Sequence, residues 1–310
     1  MLYSEAIKNE VPASLCALLS HENEDIVAAV VTLIEELTDD DVLEGVEGDM
    51  EAAEAAMTRL VDSLVSTLAG RLLNRRSPLT ERSILQLANQ LLDLLLSNLD
   101  RFLALVNKSG RDERSEADEQ AVYHVFAALE NLVNLRSEVA VSLGSNKKFV
   151  NKLLTLINNK GEFDANKGYA AELLAVLSQH SSADGRTNVK IIGQQSDAIE
   201  GLLKGLSVYR KSDPVDAEED EFTQNLFDAL CALLADDANK KIFLDAEGVE
   251  LMVIMTKTKL SARLRAFKVL DHATSGPGGK AACTRFVDSL GLKSLFQMLM
   301  AKVSEPICHI

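Results

Sequence analysis

Apolar helical segments recur along this chain at a repeating distance. In four segments the apolar residues follow the 3.6-residue period of an α-helix: residues 122–133, 168–177, 221–234 and 264–273. Each is followed by a polar or glycine-bearing turn and a second short apolar helix, and these second helices begin near Phe149, Ala198, Val249 and Leu292. The starts are separated by roughly 43 to 51 residues, near the period of HEAT and armadillo repeats. The pattern predicts an all-α fold: an armadillo/HEAT-like α-solenoid, a right-handed superhelix of stacked helices, with residues 1–310 as a single array.

The apolar stripes also predict core residues. Leu226, Phe227 and Leu230 fall on one stripe, and Leu270 falls on the stripe of a later helix. A helix pair leaves these faces exposed unless a neighbouring repeat covers them. We therefore expect all four side chains to be buried.

The predicted helices are bounded by residues that favour turns and caps. Gly248 and Gly291 each precede a second helix, where a tight turn needs a small residue. Ser261 is a candidate N-cap of the helix containing residues 264–273. Asp213, followed by Pro214, is a candidate N-cap at the start of the helix whose apolar stripe begins at Phe222. These positions predict short connections between the helices.

Two stretches interrupt the repeat. Residues 38–54 are acidic with few apolar side chains, so we predict a solvated loop that leads into a helix. Residues 69–83 are basic and contain a proline, and are predicted to form a surface insertion between two leucine-rich helices.

Composition excludes several classes of function. The net charge of −15 argues against binding to a nucleic-acid phosphate backbone and favours a basic protein partner. The four cysteines lie far apart without a CxxC pair, which indicates reduced thiols in a cytosolic or nuclear protein. The longest apolar run is too short to span a bilayer, so no membrane association is predicted.

One stretch contains the ingredients of catalytic and phosphate-binding sites. Asp271–His272 precede a glycine-rich turn that ends in Gly279–Lys280. A phosphate-binding P-loop would need a glycine where Thr274 stands and a serine or threonine where Ala281 stands. Neighbouring residues of a helix point about 100° apart, so the aspartate and histidine cannot form a dyad with each other. The stretch is predicted to be a helix end, where Pro277 prevents continuation.

The rest of the chain offers no stronger catalytic candidate. Its five histidines are scattered without metal-ligand spacing, and no G-x-S-x-G nucleophile motif occurs. We therefore expect no cofactor and no enzymatic activity.

Polar stripes on the second helices are the candidate partner-binding surface. Glu200 and Glu250 lie about one repeat apart and could pair with lysines or arginines of an extended basic segment. Lys204 and Lys257 would repel the same segment, and such stripes are commonly just the solvated faces of amphipathic helices. The stripes comprise Asn151, Thr155 and Asn158; Glu200, Lys204 and Ser207; Glu250 and Lys257; and Lys293 and Gln297.

Four blocks of sequence resemble the β-catenin-like family of nuclear armadillo proteins. They are Leu2–Asp39, Phe163–Leu177, Ala217–Leu234 and Phe243–Phe296, in the order found in that family. The resemblance implies a non-enzymatic scaffold in the nucleus, associated with the spliceosome within the Prp-nineteen complex. It also implies protein partners that present basic segments, such as the localisation segment of a Myb-like splicing partner. Residues 303–310 and the basic insertion do not resemble the family.

An importin-like transport adaptor is the alternative within the same fold class. Such receptors bind localisation peptides through a ladder of tryptophan and asparagine residues on their groove helices. This chain contains no tryptophan, which argues against a transport function.

Both ends of the predicted solenoid bear apolar residues without a covering repeat. Terminal repeats need a polar outer face, and exposed apolar patches promote association. We therefore expect the chain to self-associate through one or both ends. The residues concerned are Ile7, Val11, Leu15 and Leu18 at the start, and Leu292, Leu295, Phe296 and Leu299 at the end.

Overall fold

The described part of the chain is built from helices. In a computed structural model, the structure describes residues 5–6, 8–39, 55–64, 81–106, 113–161, 163–180, 188–195, 197–258 and 260–304. Within these ranges the regular elements are α-helices and short 3-10 helices, and no strand occurs. None of the helices in these ranges combines the length and apolarity needed to cross a membrane. The all-α prediction is confirmed.

Residue contacts divide the chain into two compact units, Met1–Leu143 and Gly144–Ile310. In the first unit, α2 and α3 both pack against α4, and α1 packs against α2. The helices of this unit are α1 (Val11–Leu18), α2 (Glu24–Thr38), a helical segment at residues 55–64, α3 (Glu81–Val106) and α4 (Glu113–Leu135).

The apolar side chains at the start of the chain are more buried than the sequence predicts. Ile7 lies outside the described residues, while Val11 is half-buried. Leu15 is buried, so the prediction that it is exposed was wrong, and Leu18 is exposed. Packing of α1 against α2 explains the burial of Leu15, because it supplies the apolar neighbour that the sequence pattern does not reveal.

The second unit repeats a group of three helices. We call them the first helices (α8, α11 and α14), the second helices (α6, α9, α12 and α15) and the third helices (α7, α10 and α13). After α5 (Ser137–Ser145), which contains the boundary between the units, they are α6 (Lys147–Ile157), α7 (Ala165–Gln179), α8 (Asn188–Gln195), α9 (Ala198–Leu206), α10 (Ala217–Leu233), α11 (Asp237–Asp245), α12 (Gly248–Thr256), α13 (Ala262–Thr274), α14 (Lys280–Asp288) and α15 (Gly291–Ser304).

The three-helix repeat differs from the helix pairs that the sequence predicts. The short first helices were missed because their apolar residues are few. In α11 the apolar side chains longer than alanine are confined to three consecutive positions, residues 242–244, and such a run has no helical period to detect.

The third helices form a continuous layer within the second unit. α7 packs against α10, and α10 packs against α13. Three of the second helices pack against the third helix of their own repeat: α6 on α7, α9 on α10 and α12 on α13. The core lies between these two layers. Leu226, Phe227, Leu230 and Leu270 are all buried there, which confirms the core prediction.

Ion pairs join neighbouring third helices on their polar side. Arg265 of α13 donates two hydrogen bonds to Asp220 of α10, each 2.8 Å long, and Lys268 Nζ lies 2.7 Å from Asp228 Oδ1. The hydrogen bonds from Arg265 lower the pKa of Asp220 below its usual value. These two pairs show that α10 and α13 run in the same direction. Arg265, the earlier residue on α13, pairs with Asp220, the earlier residue on α10, and Lys268 pairs with the later residue Asp228.

The predicted helix caps are used differently from the expectation. The hydroxyl of Ser261 makes no capping hydrogen bond at the start of α13, so that prediction was wrong. Instead, the backbone N–H of Ser261 donates to Asp213 Oδ1 at 2.7 Å. The cap of α10 is Asp216, whose carboxylate accepts from the backbone N–H of Glu219 at 2.8 Å. Asp213 therefore joins two interhelical loops, and the prediction that it caps α10 was wrong.

The turns before α12 and α15 share one construction. Glu247 and Leu290 adopt left-handed backbone conformations, with φ of 57° and 61°. A Cβ atom on Gly248 would overlap the edge of the Phe243 ring, and one on Gly291 would overlap the edge of the Phe286 ring. The expectation that a tight turn requires these glycines is confirmed, because an aromatic ring occupies the space beside each.

The stretch with catalytic ingredients is the end of a helix, as predicted. α13 ends at Thr274, and a 3-10 turn, Pro277–Gly279, leads directly into α14. Of the acidic segment 38–54, the structure describes Thr38 and Asp39, and residues 40–54 lie outside the described part. Of the basic segment 69–83, residues 69–80 also lie outside it, as do residues 305–310 of the tail.

Candidate partner-binding site

An open cleft of about 670 Å³ in the second unit brings together three of the predicted partner-binding residues. Glu200 and Lys204 come from α9, and Glu250 comes from α12. Further lining residues come from the same helices, from the 3-10 turn after α9, from the last residue of α11 and from the turn that follows it: Leu203, Arg210, Asp245, Ala246, Glu247, Leu251 and Ile254.

The position of each polar group follows from the local structure. Glu200 and Lys204 are one helical turn apart on α9, so both point to the same side of the helix. Glu247 lies in the turn before α12, next to Gly248, which packs against the Phe243 ring. The left-handed backbone conformation of Glu247 sets the direction of its side chain. The cleft is therefore built on two helices and one tightly packed turn.

The cleft carries more acidic than basic groups. Four carboxylates line it, from Glu200, Asp245, Glu247 and Glu250, against the two cationic groups of Lys204 and Arg210. A cationic segment is thus the ligand that this charge distribution favours. Its apolar part includes Leu251 and the exposed side chain of Ile254, which can contact an apolar residue of the same segment.

Glu250 is partly compensated within the protein. Its Oε1 lies 3.2 Å from Nη1 of Arg285 on α14. Its Oε2 is buried and has no hydrogen-bond partner among the described residues. Arg285 therefore offsets part of the negative charge that Glu250 contributes to the cleft.

The remaining predicted residues do not line the cleft. Thr155 Oγ1 donates to the backbone carbonyl oxygen of Asn151 at 2.8 Å, and Asn158 Nδ2 donates to that of Gly201 at 3.1 Å. Lys257 Nζ donates to the backbone carbonyl oxygen of Ser289 at 3.3 Å. The contacts of Asn158 and Lys257 join neighbouring helices or turns, so a structural role accounts for both.

Sequence reasoning missed Arg210, Asp245 and Glu247. Arg210 follows α9 in a 3-10 turn, and the two carboxylates surround the turn after α11, a helix that the sequence pattern does not predict. The available signal was the sequence Asp-Ala-Glu-Gly before a predicted second helix, which places two carboxylates beside a turn glycine.

Other titratable groups of the unit have structural surroundings. Burial raises the pKa of the Cys231 thiol to about 12, so this cysteine is protonated at neutral pH and a poor nucleophile. On the third-helix layer, burial and the neighbouring Glu221 raise the pKa of Glu172. Among the described residues, no group of three His, Cys, Asp or Glu side chains could hold a metal ion.

Comparison with known proteins places this architecture in one family. The family model described as "Catenin-beta-like, Arm-motif containing nuclear" matches residues 1–307. The chain is 36% identical over 299 residues to Beta-catenin-like protein 1 of Homo sapiens and equally to that of Rattus norvegicus, covering 96% of this chain and 45% of each relative. It is 30% identical over 306 residues to the Beta-catenin-like protein 1 homolog of Schizosaccharomyces pombe, covering 98% of this chain and 46% of that relative.

The chain therefore spans less than half the length of these curated relatives. Its three-helix repeats agree with the armadillo motif in the family's description, which confirms the prediction of an armadillo-type all-α solenoid. The chain belongs to the catenin-beta-like family of armadillo-motif nuclear proteins.

Proposed function

We propose that this protein is a non-enzymatic scaffold of the splicing machinery, acting in the nucleus by binding basic segments of other splicing proteins. The acidic cleft between α9 and α12 is the observation that carries the proposal. Membership of a nuclear armadillo family and the net charge of −15 support it.

The cleft suits a basic segment with an apolar residue among its cations. Lysines or arginines of the segment would lie near Glu200 and Glu247, while an apolar side chain would contact Leu251 and Ile254. Lys204 and Arg210 would repel cations at their own positions, so they would restrict the register in which the segment binds. Solvent-exposed charge pairs are individually weak, so we expect an affinity that depends strongly on salt.

A peptide titration tests the cleft. A fluorescent peptide rich in lysine and arginine, with one central leucine, is titrated with the wild-type chain and with Glu200→Lys/Glu247→Lys. The matched control Glu218→Lys/Asp288→Lys makes the same change in net charge at exposed carboxylates that do not line the cleft. We expect the cleft variant to bind about tenfold more weakly, a difference of about 1.4 kcal/mol, and the control to bind like the wild type. Equal losses in both variants would mean that the peptide responds to net charge alone.

The splicing assignment needs a second experiment. The chain is used as bait in nuclear extract, alongside the Glu200→Lys/Glu247→Lys variant. We expect splicing proteins to be recovered with the wild type and depleted with the variant. Recovery of importin-β together with diverse cargo would instead support the transport adaptor, and would refute the proposed function.

A further inference from the structure

Two glutamates of the cleft occupy the same place in consecutive repeats. Glu200 and Glu250 are each the third residue of their second helix, α9 and α12. Glu200 makes no ion pair among the described residues. In contrast, Oε1 of Glu250 lies 3.2 Å from Nη1 of Arg285 on α14. Equivalent carboxylates therefore differ in whether the protein itself supplies a cation to them.

The difference comes from the first helix of the following repeat. α11 packs against α9, and α14 packs against α12. Phe243 of α11 and Phe286 of α14 are equivalent, because each ring lies beside the glycine that begins the next second helix. The residues just before these rings are Ile242 and Arg285. An isoleucine cannot pair with the carboxylate of α9, while the arginine at the corresponding position pairs with the carboxylate of α12.

Glu250 differs in this respect from the other carboxylates of the cleft. Asp245 and Glu247, like Glu200, make no ion pair within the described part of the chain. A ligand cation that approaches these three groups has no arginine or lysine of the protein to replace. At Glu250 the cation has to replace Arg285.

The pair between Arg285 and Glu250 is of a kind that exchanges easily. The two side chains are 51% and 29% exposed, respectively. Ion pairs in contact with solvent are weak and are screened by salt. Arg285 does not line the cleft itself, so its release leaves the shape of the cleft unchanged.

We propose that Arg285 is an internal competitor of the basic ligand. A lysine or arginine of the bound segment takes the place of Arg285 at Glu250, and the released guanidinium group turns to solvent. Breaking the internal pair lowers the affinity of the cleft for basic segments, so Arg285 favours weak and reversible binding. This role of Arg285 rests on the function proposed above, because it takes a basic segment as the occupant of the cleft.

Removing the competitor is the first test. The fluorescent peptide rich in lysine and arginine, with one central leucine, is titrated with the wild-type chain and with Arg285→Gln. We expect Arg285→Gln to bind the peptide about two- to fivefold more tightly, which is the contribution of one solvent-exposed ion pair. Unchanged or weaker binding would overturn the proposal.

Lys257→Gln is the matched control for this titration. It removes the same charge at an exposed residue of α12 that does not line the cleft. Nζ of Lys257 bonds to the backbone carbonyl oxygen of Ser289 and not to a carboxylate. We expect Lys257→Gln to bind the peptide like the wild type. An equal gain in both variants would mean that the peptide responds to net charge alone, and the competitor role would be wrong.

Glu250→Gln tests whether Arg285 acts through its partner. The ion pair is absent in this background, so adding Arg285→Gln should bring no further gain in affinity. A gain as large as that in the wild type would show that Arg285 acts without Glu250, and would also overturn the proposal. Urea unfolding of each variant verifies that it is folded.

The displacement itself can be observed by NMR. The side-chain Nε–H signal of Arg285 is assigned by its absence from Arg285→Gln. Saturating peptide should move this signal toward its position in Glu250→Gln, or in Glu250→Asp, whose shorter side chain withdraws the carboxylate. A signal that does not move at saturation would mean that Arg285 stays on Glu250, and no competition takes place.

Failure of this proposal differs from failure of the proposed function. If Glu200→Lys/Glu247→Lys weakens peptide binding but Arg285→Gln does not strengthen it, the cleft binds basic segments and Arg285 is no competitor. If Glu200→Lys/Glu247→Lys has no effect, the peptide binds elsewhere, and both proposals are wrong.

Discussion

The side-chain amide of Asn239 donates hydrogen bonds to the backbone carbonyl oxygens of both Leu233 and Val189, each 2.8 Å long. Leu233 is the last residue of α10, and Val189 belongs to the preceding first helix. One buried amide thus satisfies a helix terminus and joins two repeats. Asn188 makes the corresponding bond to Leu177 at the end of α7, also 2.8 Å long, so the connection recurs along the unit.

Removing this amide should destabilise the second unit. We expect Asn239→Ala to lower the free energy of unfolding by about 1–3 kcal/mol, because it leaves buried carbonyl oxygens without donors. Urea unfolding measures the change. The control Gln224→Ala, at an exposed position of α10, should change the free energy by less than about 0.5 kcal/mol. A similar small value for Asn239→Ala would mean that water replaces the amide.

Leu230 should be among the most sensitive core positions. It is fully buried between α10 and its neighbours, so Leu230→Ala is expected to cost about 2–5 kcal/mol through lost burial and a residual cavity. Leu264→Ala provides the same chemical change at a site that is 61% exposed, and should have little effect. If both variants unfold at the same urea concentration as the wild type, the buried face has been assigned wrongly.

Gly248→Ala should disturb the turn that bears the cleft residue Glu247. The added methyl group would overlap the Phe243 ring, and we expect a loss of about 1–3 kcal/mol from overpacking. Gly161→Ala is the matched control, since no atom lies near the position of its Cβ. Combining Gly248→Ala with Phe243→Leu should recover part of the lost free energy of unfolding, because the smaller side chain leaves room for the methyl group. If the losses of the two single variants simply add in the double variant, the cause is not steric.

The ion pair between Asp220 and Arg265 should make stability depend on pH in the acidic range. A carboxylate whose pKa is lowered in the folded state stabilises the fold above its unfolded pKa, and this contribution is lost as the pH falls through the lowered value. We expect the wild type to be more stable than Asp220→Asn at neutral pH, and the two to converge as the pH falls through the lowered pKa of Asp220. Urea unfolding midpoints measured across this range decide it.

Asp288→Asn is the control for the pH experiment, because Asp288 is exposed and has no ion pair among the described residues. It should match the wild type at every pH. A constant difference between Asp220→Asn and the wild type from neutral to acidic pH would show that the substitution acts through packing rather than through charge.

The sequence by itself determined the features that depend on neighbouring residues. The stripe containing Leu226 and Leu230 and the helix end after Asp271–His272 follow from local periodicity and turn chemistry, and both agree with the structure. Gly248 was also found in this way. Its aromatic neighbour, Phe243, stands only five residues earlier, near the end of the preceding helix α11.

Only the tertiary structure decided which distant residues meet. Glu200 and Glu247 share the cleft because the stacking of repeats brings α9 beside the turn after α11. The stripe that supplies Glu250 to the cleft also supplies Lys257, which bonds to the turn at Ser289 instead. Sequence periodicity shows that a residue lies on the polar side of its helix, but the direction of that side depends on the neighbouring repeat. The exposed face of α15 has the same origin, because its apolar stripe matches those of α9 and α12 and differs from them in having no third helix beside it among the described residues.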